Sequence, residues 1–202
     1  AHSTEGLTTV RDVRLADLTG DGIDVQAGTN PDDHTLPDTA RVVVENATLE
    51  RVTSQGIHHD ALGDAAPLSV RSTTIDGVLD GLQLNSGNAS IRNVTIRNAD
   101  RDGIDASDDG RFDALSMTDV TIHNTSEDGI RAAFIESVDL TRVNMTEVGT
   151  LELAADRSEG TLTDVWLSTN RVDGSFRDVE VNDSDSPGNL PTNWTSIGSF
   201  LA

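Results

Sequence analysis

The stretch "IRNVTIRNADRDGIDA", residues 91–106, decides the fold. It opens on a six-residue pattern, apolar–x–(Asp/Asn/Ser)–apolar–x–apolar, and closes on a second one, Gly–apolar–x–apolar. Both recur. The first reads "VRDVRL" (10–15), "VENATL" (44–49), "VRSTTI" (70–75), "IRNVTI" (91–96), "MTDVTI" (117–122), "LTRVNM" (140–145), "LTDVWL" (162–167) and "FRDVEV" (176–181). Their starts lie 34, 26, 21, 26, 23, 22 and 14 residues apart. The second follows as "GIDV" (22–25), "GIHH" (56–59), "GLQL" (81–84), "GIDA" (103–106) and "GIRA" (129–132), and "TLEL" (150–153) has Thr where Gly stood. Each unit therefore holds short alternating segments rich in Val, Ile and Thr, separated by Gly, Asn, Asp and Ser at turns. No segment of ten or more residues has helical periodicity. Such a unit cannot bury its apolar side chains alone, but a stack of units can. A leucine-rich repeat is the rival, and its L-x-x-L-x-L consensus is missing.

These repeats resemble those of the pectin-lyase-like right-handed β-helix superfamily, over roughly residues 7–181. The resemblance implies an all-β fold, a single right-handed parallel β-helix of about seven to eight coils. It sets one domain over 1–181 and a C-terminal closure or linker over 182–202, because the last 14-residue interval is too short for a coil. That superfamily includes polysaccharide lyases, hydrolases, epimerases, adhesins and viral tailspikes, so the likeness speaks to fold more than to function.

Composition limits the partners. The 202 residues carry 35 acidic and 14 basic side chains, a formal charge of -21. Every basic residue is arginine, and Asp outnumbers Glu 26 to 9. Such a surface repels nucleic acid and anionic lipid. Its self-repulsion is tolerable where salt screens it, which points to an extreme halophile. With no cysteine, disulfides and thiolate sites are excluded. No run approaches the length of a membrane span. The opening "AHSTEGLTTV" has no initiator Met or signal-type apolar region, and is read as a processed or excised start. Sequons at Asn88, Asn124, Asn144, Asn182 and Asn193 are candidate glycosylation sites and suit an extracellular or surface protein. Those at Asn46 and Asn93 fall on a turn position and are less accessible.

Stacking turns the alignment into columns of neighbours about 4.8 Å apart. The third position of the first pattern gives Asp12, Asn46, Ser72, Asn93, Asp119, Arg142, Asp164 and Asp178, a turn column of residues that tolerate the left-handed conformation. The residue before the glycine gives Asp21, Gln55, Asp80, Asp102 and Asp128. Bare aspartates at that spacing repel by roughly 3 kcal/mol a pair at an effective dielectric near 20. Backbone N–H groups of each turn, an arginine or a cation must compensate, with each Asp serving its own turn as the preferred reading. Ca²⁺ on Asp80, Asp102 and Asp128 is the one cofactor the pattern admits. "DLTGDGID" (17–24) is similar to a dockerin-type Ca²⁺ loop through Asp17, Thr19, Asp21 and Gly22, but position 12 is Gly28 rather than an acid.

A third column, expected to face outward, runs Asp24, His58, Gln83, Asp105, Arg131 and Glu152. The loops after it vary most and bring Asp32, Asp33, His34, Asp60, Asp108 and Asp109 to the same edge, as a binding face does. Likeness to pectate lyases implies acidic Ca²⁺ ligands and an Arg base, which Asp80, Asp102, Asp105 and Asp128 with Arg131 supply. An inverting hydrolase needs two carboxylates, for which Asp102 with Asp105 or Asp128 are the candidates, with His58 nearby. Against this, "DGID" (102–105) stands without the remaining polygalacturonase motifs. "GIHHDA" (56–61) is similar to the Asp/His site of alginate epimerases but lacks their tyrosine. Aromatics are 3% of the chain, too few for sugar platforms beyond Phe112 and Trp166. The expectation is a non-catalytic surface, adhesion or virion-appendage module of a halophilic archaeon or its virus. It would meet a cell-surface or virion protein, or a polysaccharide, and could form oligomers or filaments through exposed strand edges. The alternative is a polysaccharide lyase or hydrolase using Asp102, Asp105, Asp128, His58 and Arg131.

Overall fold

The computed structural model describes residues 6–27, 41–61, 67–85, 87–107, 112–133, 135–154, 159–163, 165–167, 172–173 and 179–182. Among them the fold is all-β, with parallel strands in two sheets and no helix. Eleven of these strands form one sheet and seven the other, and the chain visits the two in alternation. The six-residue patterns stack in the larger sheet, where Ile91 lies beside Val70 and Met117, and Ile96 beside Ile75 and Ile122. The Gly patterns stack in the smaller one, where Ile104 lies between Leu82 and Ile130.

The third position of the six-residue pattern does more than turn the chain. Asp12, Asn46, Ser72, Asn93, Asp119 and Arg142 all have φ between 50° and 56°. One left-handed residue resets the strict alternation of a strand, so apolar residues three apart can both face inward. In the second repeat Val44 and Ala47 flank Asn46 and both are buried, as is Leu49 two residues on. Five residues further a second left-handed corner follows, at Asp17, Arg51, Asn98, Asn124 and Glu147, with Gly77 (φ 67°) in the third repeat. It resets the alternation again, so Val52 also points in. In the middle repeats the strands run unbroken through both corners, as in Gly87–Ala99 and Phe112–Thr125.

The core is thus a set of columns, of which Val44, Val70, Ile91, Met117 and Leu140 form one, all at most 1% exposed. Phe112 belongs to this core, at 1% exposure, and is not the exposed sugar platform the sequence suggested. The glycines before the second-sheet strands are required by close approach. A Cβ on Gly56, Gly81 or Gly103 would lie 2.7, 2.3 or 2.5 Å from the carbonyl oxygen of the next repeat's glycine, and 2.6 Å from Cγ2 of Ile75, Ile96 or Ile122. At Gly129, whose successor is Thr150 across a register shift, the nearest contacts relax to 3.0–3.3 Å and are side chains.

The register corrects the last copy of the six-residue pattern. Leu162 pairs with Val181, not with Phe176, so the repeat there is 19 residues and not 14. The strand Val179–Asn182 also crosses the boundary drawn after residue 181. Asp164 and Asp178 lie outside the described residues. Among the described residues, no helix is long and apolar enough to cross a membrane.

Candidate functional site

The outward column forms as the sequence placed it. In register, Asp24 neighbours His58, His58 neighbours Gln83, and Asp105 lies between Gln83 and Arg131. Arg131 continues to Glu152, and Glu152 to Asp173. Asp173 belongs to a seventh copy of the Gly pattern that sequence reasoning missed, because Arg171 stands where glycine was sought. His58 and Arg131 are half-buried, and His58 sits two repeats away from Asp105.

Asp105 is not the open carboxylate its outward position suggested. It is 6% exposed. Its Oδ1 accepts hydrogen bonds from the Ser107 N–H (3.0 Å) and the Ser107 hydroxyl (2.5 Å). Arg101 approaches its other oxygen at 3.7 Å. The position is fixed by strand alternation, while the burial comes from a local turn and a neighbouring guanidinium that alternation does not report.

The aspartates before the glycines are compensated by amides and by an arginine. Asp21 Oδ1 accepts the Gln55 N–H (3.2 Å), Asp80 Oδ1 the Asp102 N–H (3.2 Å), and Asp102 Oδ1 the Asp128 N–H (2.8 Å). Each donor belongs to the next repeat, so the expectation that each Asp serves its own turn is corrected: these carboxylates tie repeats together. Gln55 Nε2 donates to Asp80 Oδ2 (3.3 Å), and Arg101 Nε lies 3.5 Å from Asp80 Oδ1. Arg101 therefore faces both Asp80 and Asp105, yet it was absent from the candidates. Its signal was its place in "RDG" (101–103), beside the column most in need of positive charge.

Asp80 and Asp102 are fully buried. Burial raises both carboxyls above their ordinary range, and takes Asp102 to about 6. For Asp102 the Asp128 N–H opposes that rise, while Asp105, Asp128 and Asp80 add to it. Asp102 Oδ2 is buried without a hydrogen-bond partner. A carboxyl in this setting keeps its proton to a higher pH than an ordinary aspartate, and it is sealed from any large substrate.

Asp80, Asp102 and Asp128 do not form the converging ligand set proposed for Ca²⁺. Among the described residues, the His and Asp side chains whose donor atoms converge are Asp21, Asp24 and His58, all within 4.8 Å of one another. The dockerin-like reading also dissolves, since Asp17 turns to Arg51 at 2.6 and 2.9 Å and leaves Asp21 with different neighbours.

Asp60 is half-buried and pairs in register with Gln26. Asp32, Asp33, His34, Asp108, Asp109 and Asn193 lie outside the described residues. Asn46, Asn93 and Asn124 are corner residues whose Nδ2 groups donate to Asp12 (2.6 Å), Ser72 (3.4 Å) and Asn98 (2.7 Å). Asn124 thus joins Asn46 and Asn93 as a sequon whose amide is engaged at a corner, through the second corner column, which the sequence reading had not separated. All three are exposed, contrary to the accessibility expected of Asn46 and Asn93. Asn144 is exposed on its strand, Asn88 is half-buried, and Asn182 pairs in register with Thr163. The chain matches no protein-family model and no curated protein sequence.

Proposed function

We propose that this chain is a non-catalytic extracellular module from the surface of a halophilic archaeon or from its virus. It is built as a right-handed parallel β-helix of about seven to eight coils. Parallel strands joined by crossovers within one sheet are right-handed almost without exception. The longest path through the larger sheet has eight strands, which supports such a count. The module belongs to a surface layer, an adhesin or a virion appendage, and presents its acidic side to a protein or polysaccharide.

The burial of the would-be catalytic carboxylates carries the non-catalytic part of this reading. Asp102 is 0% exposed and Asp105 6%. Either glycosidase geometry requires both carboxyl groups to flank the scissile bond, where a polymer must reach them. The scarcity of aromatics points the same way. The charge of -21 supports a salt-rich setting, because at molar salt the screening length falls to about 3 Å.

The test is to incubate the chain, purified in molar KCl, with polygalacturonate and alginate and to follow unsaturated and reducing-end products. No product is expected, and protease shaving of intact cells should release the module. Product formation that disappears in Asp102→Asn, with the fold intact, would overturn this reading in favour of a lyase or hydrolase.

A further inference from the structure

We infer that Asp21, Asp24 and His58 form a binding site for a divalent transition-metal ion of the zinc type, which clamps the first repeat to the second. Asp21 and Asp24 precede and enter the strand Ile23–Ala27, and His58 lies on the paired strand Ile57–Ala61. His58 Nδ1 is 3.2 Å from Asp24 Oδ1 and 3.8 Å from Asp21 Oδ2. Bonds of about 2.1 Å to a tetrahedral ion put ligand atoms about 3.4 Å apart, so small side-chain rotations close the set. The three ligands are partly open to solvent, with His58 19% and Asp24 42% exposed, which leaves coordination room for water.

Two further observations point to a cation here. The first is the charge pattern. Elsewhere several carboxylates are answered by arginine: Asp17 by Arg51, Asp119 by Arg142, Asp76 by Arg97, Glu45 by Arg71 and Asp80 by Arg101, while Asp12 is answered by Asn46 and Glu147 lies 3.7 Å from His123. Among the described residues, Asp21 and Asp24 share a histidine in that place. A neutral imidazole leaves two carboxylates side by side, and a bound cation supplies the missing charge.

The second is the support around the ligands. The Asn85 amide lies against His58 Nε2 at 3.2 Å, and Gln26 Nε2 donates to Asp24 Oδ2 at 3.0 Å. A metal-bound imidazole keeps its other nitrogen on a fixed hydrogen-bonding group, and its carboxylate co-ligands are hydrogen-bonded in turn. Without metal, the Asn85 NH₂ donates to Nε2 and the Nδ1–H faces Asp24. With metal, the imidazole changes tautomer, its one proton passing from Nδ1 to Nε2 by exchange with water; Nδ1 then gives its lone pair to the ion, while Nε2–H donates to Asn85 Oδ1 after the amide turns over. Asn85 Oδ1 has no other hydrogen-bond partner to hold the amide back. An imidazole between two carboxylates favours zinc, nickel or copper over calcium.

The site does not depend on the surface-module reading. Its test is calorimetric titration of the full chain in molar KCl with ZnCl₂ and, separately, CaCl₂. One zinc per chain is expected. Asp24→Asn and His58→Gln should each weaken binding at least about tenfold, and Asn85→Leu about 10- to 100-fold with all three ligands present. His123→Gln should leave it unchanged. The wild-type chain gives a second reading that needs no variant: zinc should shift the ¹⁵N resonance of His58 Nδ1 more than that of any other imidazole. Absence of saturable zinc binding would overturn the site. So would binding that survives His58→Gln and Asp24→Asn, a shift centred on another histidine, or calcium binding as tightly as zinc.

Discussion

Arg51 grips Asp17 of the preceding repeat with two hydrogen bonds, 2.6 Å from Nε and 2.9 Å from the terminal nitrogen, while both residues sit in the left-handed region at φ 52° and 57°. Arg142 holds Asp119 in the same way. Arginine has no intrinsic liking for that conformation, which Asn adopts more readily. At these corners an ion pair between repeats therefore stands where Asn46 and Asp12, or Asn124 and Asn98, use an amide ladder.

Replacement tests which part of the corner matters. Arg51→Asn keeps a side chain that suits the backbone and can still donate to Asp17, so its melting temperature should stay close to that of the wild type. Arg51→Val, β-branched and without a donor, should melt clearly lower. The gap between wild type and Arg51→Asn should also narrow with added salt, because this pair is exposed. Thermal scans across KCl concentrations read both effects, and equal losses in the two variants would refute this account of the corner.

The glycine column makes a sharper prediction. Gly103→Ala puts a methyl group 2.5 Å from the Gly129 carbonyl oxygen and 2.6 Å from Ile122, so two backbones must separate. A loss of about 1–3 kcal/mol or more is expected in denaturant titration. Gly129→Ala meets only side chains, the nearest being Met145 Sδ at 3.0 Å, and a flexible thioether yields more easily. Its loss should be the smaller of the two. The reverse order would mean that the backbone spacing is not what excludes the methyl.

Glycosylation should follow the corners. At Asn124 the nitrogen that would carry a glycan is already donated to Asn98 at 2.7 Å, and Asn46 and Asn93 are engaged in the same manner. Expressed in a host that modifies sequons, the chain should carry glycan at Asn144 and none at those three, which are exposed as well but engaged at corners. Glycopeptide mass spectrometry decides this. Asn124→Ala should also cost about 1–2 kcal/mol, from a ladder bond and a left-handed alanine.

Fold and site were legible to different depths, for a physical reason. The stacking of Val44, Val70 and Ile91, and the register from Asp24 through Arg131, follow from side-chain alternation plus repetition. Both are written in residue order. The second corner column was missed because it holds Asp17, Arg51, Gly77, Asn98, Asn124 and Glu147, whose common property is a backbone angle and not a chemistry. The last repeat was misframed because "FRDVEV" (176–181) fits the pattern by letters while Leu162 pairs with Val181. At the candidate site, alternation placed Asp105 and His58 on the correct strip. It could not report that Ser107 and Arg101 close over Asp105, or that Asp21 reaches the Asp24–His58 pair from a different column.

Asp102 should give the stability curve a slope that an acidic protein does not ordinarily have. Its carboxyl is raised to about 6 by burial, above the ordinary 3.8, so between those values the folded chain holds a proton that the unfolded chain has released. The folded state is then favoured at the acid side of this window and loses that advantage as pH climbs through 6, by about 2–3 kcal/mol in all. Asp17 and Asp119 act oppositely. Hydrogen bonds from Arg51 and Arg142 lower their carboxyls, and the stability they add is lost only as pH falls below the ordinary range. The comparison that isolates Asp102 is with Asp102→Asn, whose Oδ1 still accepts the Asp128 N–H but carries no charge. Denaturant unfolding at about pH 5 and about pH 7.5 should show the variant gaining on the wild type as pH rises. A constant difference across that interval would mean that Asp102 is ionised in the folded protein throughout, and that some group near its unpartnered Oδ2 neutralises it.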